Sequence, residues 1–350
     1  MKIAMMTPWN VACGVSIHAE LVGREWVKAG HELKVFAPQE EDKLPTASDE
    51  SFVCRCYSRG KDFQGGLKEL WLDSEPLLKS DYEFFVAQNL ELLPVRELAE
   101  IFLQITSKAI RILVIHEGNK SCLSSSEYQA FNWDAVVCFD KRYRKEFSKV
   151  FSSERIRLIP YPAHPKLLGD KEESRKKLGL PLGGRIILTY GISMQQHLPV
   201  FLAIERLNKA FPLKYLLLVH ETPAQILNQV KANYDFVEVR EGAHSIEELY
   251  SYLHASDALL LHKQSAGLVV SSSVYLCLGS GCPIVILEGR YTEDLGEEVF
   301  KYKNLNELQR VLTLIFEEER PSQEAIDKFL TEKAASKVAS SFIQLFSSWG

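Results

Sequence analysis

The chain has 350 residues, 46% of them hydrophobic and 25% charged, with a formal net charge of −5. That length exceeds one ordinary core and fits two domains, the composition is globular rather than disordered, and the acidic balance lacks the basic stripe of a nucleic-acid binder. The opening run Met1–Met6 halts at Pro8, too short for the apolar core of a signal peptide, and no later stretch reaches the roughly 18 apolar residues of a membrane span. Lys2–Thr7 reads as a strand, and Ile17–Lys28 as a helix from its spacing of Ile17, Leu21, Val22 and Trp26, ended by Gly30. His31–Pro38 is a second strand. Further strands are predicted at Phe52–Tyr57, Phe84–Ala87, Ile112–Ile115, Ala135–Phe139 and Ile156–Ile159, with helices at Glu91–Thr106, Ser124–Phe131 and Lys141–Val150. Strands alternating with helices imply a parallel sheet covered on both faces.

The pattern pauses at the proline-rich Pro160–Pro165 and the charged Lys171–Lys177, which reads as a solvated run and the best linker. A second alternating series runs through Arg185–Tyr190, Val200–Ala210, Tyr215–Val219, Pro223–Tyr234, Phe236–Val239, Ser245–His254, Ala258–Leu261, Val270–Leu278 and Pro283–Leu287, and Asn306–Trp349 is helical in character. The expected division is 1–164 and 165–332. The helix within 333–350 should return to the first domain, because Ala339, Phe342, Ile343 and Phe346 form an apolar stripe that needs a partner surface. Two doubly wound sheets in tandem would face each other across a cleft and bind ligands there. The seven cysteines are scattered without a C-x-x-C unit, so neither a disulfide framework nor a metal site is expected, and the protein reads as cytoplasmic. Dehydrogenases, sugar-nucleotide epimerases and glycosyltransferases all share this pattern.

Gly14 follows the first strand and opens a helix, so free amides and a positive dipole end could meet an anion; a plain tight turn fits equally. It is not a G-x-G-x-x-G loop, so a nicotinamide fingerprint is absent. His116 ends a predicted central strand, where it could bond a sugar hydroxyl or move a proton, or be a structural histidine satisfied by a neighbouring loop, and Asn119 follows it. Arg142 begins a helix, either facing a ligand or lying on a solvated face. Ser271, Ser272 and Ser273 start another helix and could cap it or hold a phosphate.

Gly14-Val15-Ser16-Ile17-His18 followed by Gly30-His31-Glu32-Leu33-Lys34-Val35 resembles the N-terminal domain of family 4 glycosyltransferases, with their G-G-V-x-x-H and r-G-H-E-V pieces. Ile112–His116, Asp134–Phe139, Ile156–Pro160, Ser245–Asp257 and Gly281-Cys282-Pro283-Ile284-Val285 match further pieces of that family in the right order. The resemblance implies a GT-B fold and a retaining, metal-independent, hexosyltransferase-like activity. It needs no cofactor beyond a nucleotide-sugar co-substrate, and the acceptor would be a glycan, a lipid-linked sugar or a small molecule. It also implies catalytic roles for His116 and His197, an acceptor/donor loop holding Gly14, Asn119 and Arg142, and donor binding by Gly191, Ser271, Ser272, Ser273 and Glu288. The donor motifs are degenerate: Ile192 stands where the family has Arg, His197 where it has Lys, and its paired glutamates are missing around Leu268 and Leu276. His197, when protonated, is expected to replace the lost charge. A non-catalytic GT-B nucleotide- or glycan-binding protein or partner subunit is the alternative. No transmembrane segment is expected, and peripheral membrane contact stays open.

Overall fold

The computed structural model describes residues 1–39, 44–45, 47–58, 70–118, 131–191, 194–219, 222–242, 244–264 and 267–349. The predicted helix Ser124–Phe131, apart from Phe131, lies outside these residues, as do Asn119 and Ile192. The chain divides into two compact units, the first comprising Met1–Pro162, Ala266–Val270 and Lys333–Gly350, the second Ala163–Ser265 and Ser271–Glu332.

Unit 1 carries β1 (Lys2–Met6), β2 (Glu32–Pro38), β3 (Val53–Tyr57), β4 (Phe84–Gln88), β5 (Ile110–Val114), the two-residue β6 (Glu117–Gly118), β7 (Ala135–Cys138) and β8 (Ile156–Leu158). Seven of them form one parallel sheet in the order β3-β2-β1-β4-β5-β7-β8. Ile3 to Met6 are all buried, the continuous apolar run of a strand covered on both faces. The helix Gly14–Lys28 follows β1 and stops where Gly30 takes a φ of +85°, a left-handed turn that glycine adopts without a Cβ clash. Against it lies the C-terminal helix Ala335–Ser347. Trp26 meets Phe342 and Phe346 edge-on at 5.6 and 5.5 Å and donates from its indole N–H to the Ala339 carbonyl at 3.1 Å, while Phe84 stacks on Phe346 at 4.6 Å. Hydrophobic burial and a satisfied indole together hold the tail on this unit.

Unit 2 opens with a helix, Lys171–Leu178, where the charged run was expected to be solvated linker. Its signals are those of the termini rather than of an apolar stripe. Asp170 caps the Glu173 amide, acids fill the first turn and bases the last, and Gly179 ends it at a φ of +66°. Its buried anchor is Arg175, only 3% exposed, bonded to the Ala255 carbonyl and to Asp257 at 2.9 Å each. Asp257 also takes the Ile186 amide at 2.7 Å and Lys171 at 2.6 Å.

The strands that follow are β9 (Arg185–Tyr190), β10 (Leu213–Val219), β11 (Val237–Glu241), β12 (Ala258–Leu261), β13 (Leu268–Val269), β14 (Ile284–Leu287) and β15 (Phe300–Tyr302). Six form a parallel sheet in the order β11-β10-β9-β12-β14-β15. Thr189 ties the central strands together, bonding the Leu260 carbonyl at 2.9 Å and Tyr215 at 2.8 Å. The exception is β13, which belongs to unit 1 and pairs antiparallel with β6, Leu268 opposite Gly118 and Val269 opposite Glu117. Two Rossmann-like α/β units of parallel strands therefore make up the chain. Among the described residues no helix is long and apolar enough to cross a membrane.

Candidate functional site

In both sheets the strand order reverses direction once, between β1 and β4 in unit 1 and between β9 and β12 in unit 2. Connections leave such a pair toward opposite faces, so a crevice opens beyond the carboxyl ends of the two strands, where open α/β sheets take their ligands.

At the unit 1 reversal, β1 runs into a loop containing Asn10 and β4 into Asn89; both are buried and both hold a left-handed φ of 56°. Asparagine tolerates that conformation better than most residues, but it is sustained only where the surroundings impose it. Glu20 imposes it at Asn10, taking the Asn10 amide at 3.0 Å and the Ser16 hydroxyl at 2.7 Å while pairing with Arg24 at 3.1 Å. Burial raises the Glu20 pKa, and the Arg24 charge opposes the shift. Asn89 keeps a buried side-chain oxygen without a partner among the described residues. Gly14 is the first residue of the 15-residue helix, Cys13 offers it no side-chain cap, and its carbonyl accepts the Tyr161 hydroxyl at 2.6 Å.

His116 lies two residues beyond β5 and is 6% exposed, with Nε2 2.9 Å from the Gln88 side-chain oxygen. An amide oxygen only accepts, so Nε2 donates and Nδ1 is left as an acceptor. His18 stands edge-on to His116 at 4.9 Å, and Phe139 does so at the same distance. Burial, reinforced by repulsion from His18, holds the His116 pKa well below the usual histidine value. Burial likewise pushes His18 down to about 3, although Gln88 lies near enough to favour the charged form; neither His18 ring nitrogen makes a hydrogen bond of acceptable geometry. Both imidazoles are neutral at neutral pH. Arg142, in contrast, pairs at 2.7 Å with Asp140, which caps its own helix through the Arg142 amide at 2.7 Å. A guanidinium held this way braces the helix start.

In unit 2, Gly191 follows β9 at a φ of +127°, a conformation that side-chain-bearing residues rarely adopt. A Cβ placed there would meet the Lys263 ammonium at 3.6 Å, because Lys263 leaves the end of the neighbouring β12. His197 reaches the same edge but is 1% exposed, and its Nε2 accepts the His262 amide at 3.1 Å. A nitrogen that accepts a main-chain N–H carries no proton of its own, so this arrangement gives the expected charge-bearing role no support. His262 in turn lies 2.5 Å from the Tyr302 hydroxyl through Nδ1, and burial lowers its pKa. Ser271 is buried at the start of the helix Ser272–Cys277 and makes no capping bond with its side chain; Ser272 and Ser273 are half-buried. Glu288 is exposed beyond β14, its amide on the Tyr302 carbonyl at 2.8 Å and its carboxylate 3.7 Å from Lys303. Gly191 and His197 thus share the β9–β12 edge, and Glu288 lies one strand further along the sheet. Among the described residues no three His, Cys, Asp or Glu side chains gather as a metal-binding group.

Sequence reasoning missed Lys263, His262 and the Asn10–Glu20–Arg24 network. The first two had a signal: a basic pair immediately after the apolar run Ala258–Leu261, at the carboxyl end of a strand.

No family model matches the chain. Solved structures do. Sucrose-phosphate synthase from Thermosynechococcus elongatus superimposes with a TM-score of 0.72 at 15% identity, over 100% of this chain and 99% of that one. Anabaena HepE in complex with UDP-glucose gives 0.70 at 14% identity over 99% and 100%. A glycosyltransferase from Rickettsia africae gives 0.70 at 14% over 99% and 98%. At such identities the likeness is one of architecture, and the chain has the GT-B glycosyltransferase fold.

Proposed function

We propose that the chain is a glycosyltransferase that moves a sugar from a nucleotide-sugar donor to an acceptor hydroxyl, similar to family 4, retaining and metal-independent. Unit 2 would take the donor's nucleoside diphosphate. Unit 1 would take the acceptor, a glycan, a lipid-linked sugar or a small molecule, with Gly14 and His116 close to it. The observation that carries this reading is the β9–β12 edge with its Gly191 turn, set in a fold that HepE, solved with UDP-glucose, also has. In the transfer, the bond between the anomeric carbon and the diphosphate oxygen breaks and the diphosphate leaves as an anion. A glycosidic bond forms to the acceptor oxygen, and the hydroxyl proton is released. A neutral His116 with Nδ1 as acceptor suits an incoming hydroxyl. We place the protein in the cytoplasm.

A non-catalytic GT-B binding protein or partner subunit is the second reading, favoured by the uncharged, buried His197. Thermal shift with UDP, GDP and ADP sugars, followed by product detection across an acceptor panel, separates the two, since a ligand that binds only the folded state raises its stability. Transfer supports the enzyme. Binding without transfer or donor hydrolysis supports the second reading, and no stabilisation by any nucleotide overturns both.

A further inference from the structure

We propose that Lys263 is the residue that binds the diphosphate of the nucleotide in unit 2, its ammonium closing over the Gly191 turn at the reversal between β9 and β12. This rests on the donor role given to unit 2 above. Three features carry it. Lys263 emerges beside the strand end at Gly191, its ammonium at ordinary contact distance, 3.6 Å, from where a Cβ on that residue would stand. Among the described residues its ammonium makes no hydrogen bond and no ion pair. The titratable group near enough to bias it is the buried Cys277 thiol, and burial lowers the lysine's pKa more than that thiol raises it.

A half-buried ammonium without a counter-ion weakens the fold, and lysines held purely for structure lie along a carboxylate or reach solvent. Lys263 is only partly exposed and has no carboxylate beside it among the described residues, and it stands at the position where the sheet opens to a ligand. His197 cannot supply the charge there, since its Nε2 accepts the His262 amide. A nucleoside diphosphate is the anion whose charge fits this place: the lysine would hold it as a compact point charge and would offset the negative charge that grows on it as the sugar departs.

The experiment is isothermal titration of the whole protein with UDP, GDP, ADP and inorganic pyrophosphate, for the wild type, Lys263→Gln and Lys263→Arg, with thermal unfolding of each. The lost charge-assisted contact should weaken diphosphate binding about tenfold to a hundredfold in Lys263→Gln. Lys263→Arg should retain most of it, and the parent nucleoside should bind wild type and Lys263→Gln alike. The melting temperature of Lys263→Gln should hold or rise, because an unpaired cation has been removed; a structural lysine would lower it. Equal affinity in wild type and Lys263→Gln overturns the role of Lys263 and leaves the donor reading standing. A fall in melting temperature that accompanies the loss of binding also overturns it. Wild-type protein that binds none of the four overturns both.

Discussion

Acidifying the protein should unfold unit 1 by a route that runs through His18. Its folded pKa is about 3 and its ordinary value 6.5, so above 6.5 neither state is protonated and the native state keeps its full stability. As the pH falls below 6.5, the unfolded chain takes up a proton that the folded one refuses, and stability drops until the pH reaches about 3. At about 1.4 kcal/mol per pH unit, the fall from 6.5 to about pH 5 removes about 2 kcal/mol. His116, also held well below the usual range, adds to the loss in the same direction. The variant to compare is His18→Leu, which occupies a similar volume and titrates nowhere in this window. It also removes two ring nitrogens without hydrogen bonds, so stability at neutral pH should hold or rise. Urea denaturation followed by tryptophan fluorescence reads unit 1 alone, because all five tryptophans, Trp9, Trp26, Trp71, Trp133 and Trp349, lie in its segments. Between neutral pH and about pH 5, wild type should lose about 2 kcal/mol more than His18→Leu. Equal losses, or a large destabilisation of the variant at neutral pH, would refute the neutral burial of this imidazole.

Three further outcomes are expected. Phe342→Ala removes a buried ring from Trp26 and should cost unit 1 about 3–5 kcal/mol, with the tryptophan emission shifting to the red in the native state. Asp257→Asn strands the buried Arg175 charge and should cost unit 2 about 3–5 kcal/mol, read by calorimetry because unit 2 contains no tryptophan. Treatment with EDTA should leave the affinity for UDP unchanged; loss of binding from a protein that stays folded would end the metal-independent reading.

Strands were legible wherever both faces are buried. Arg185–Tyr190 and Ala258–Leu261 could be read to the residue because a parallel core strand writes a continuous apolar run bounded by polar residues. The helix Lys171–Leu178 was not, since its one buried side chain is an arginine and hydrophobic periodicity cannot register it. The two-residue pair of β6 and β13 leaves no periodic trace, being shorter than any repeat that could announce it, and β15 is a three-residue edge strand. Gly191 could be picked out by its position after a strand. The state of His197 could not, because it depends on the His262 amide 65 residues away along the chain. Lys263 ends an apolar run as many solvent-facing lysines do, and only the packing of β12 beside β9 shows that it stands over Gly191 without a carboxylate.

Unit 1 is assembled from three separate stretches of the chain, and its last helix is made after every residue of unit 2. On a ribosome, which delivers domains from the N-terminus onward, this inverts the usual order of completion. Trp26 and Phe84, which the finished fold covers with Phe342 and Phe346, stay uncapped through the synthesis of residues 163–332. The nascent chain therefore presents an apolar surface to chaperones from its first half while its second half is still being translated.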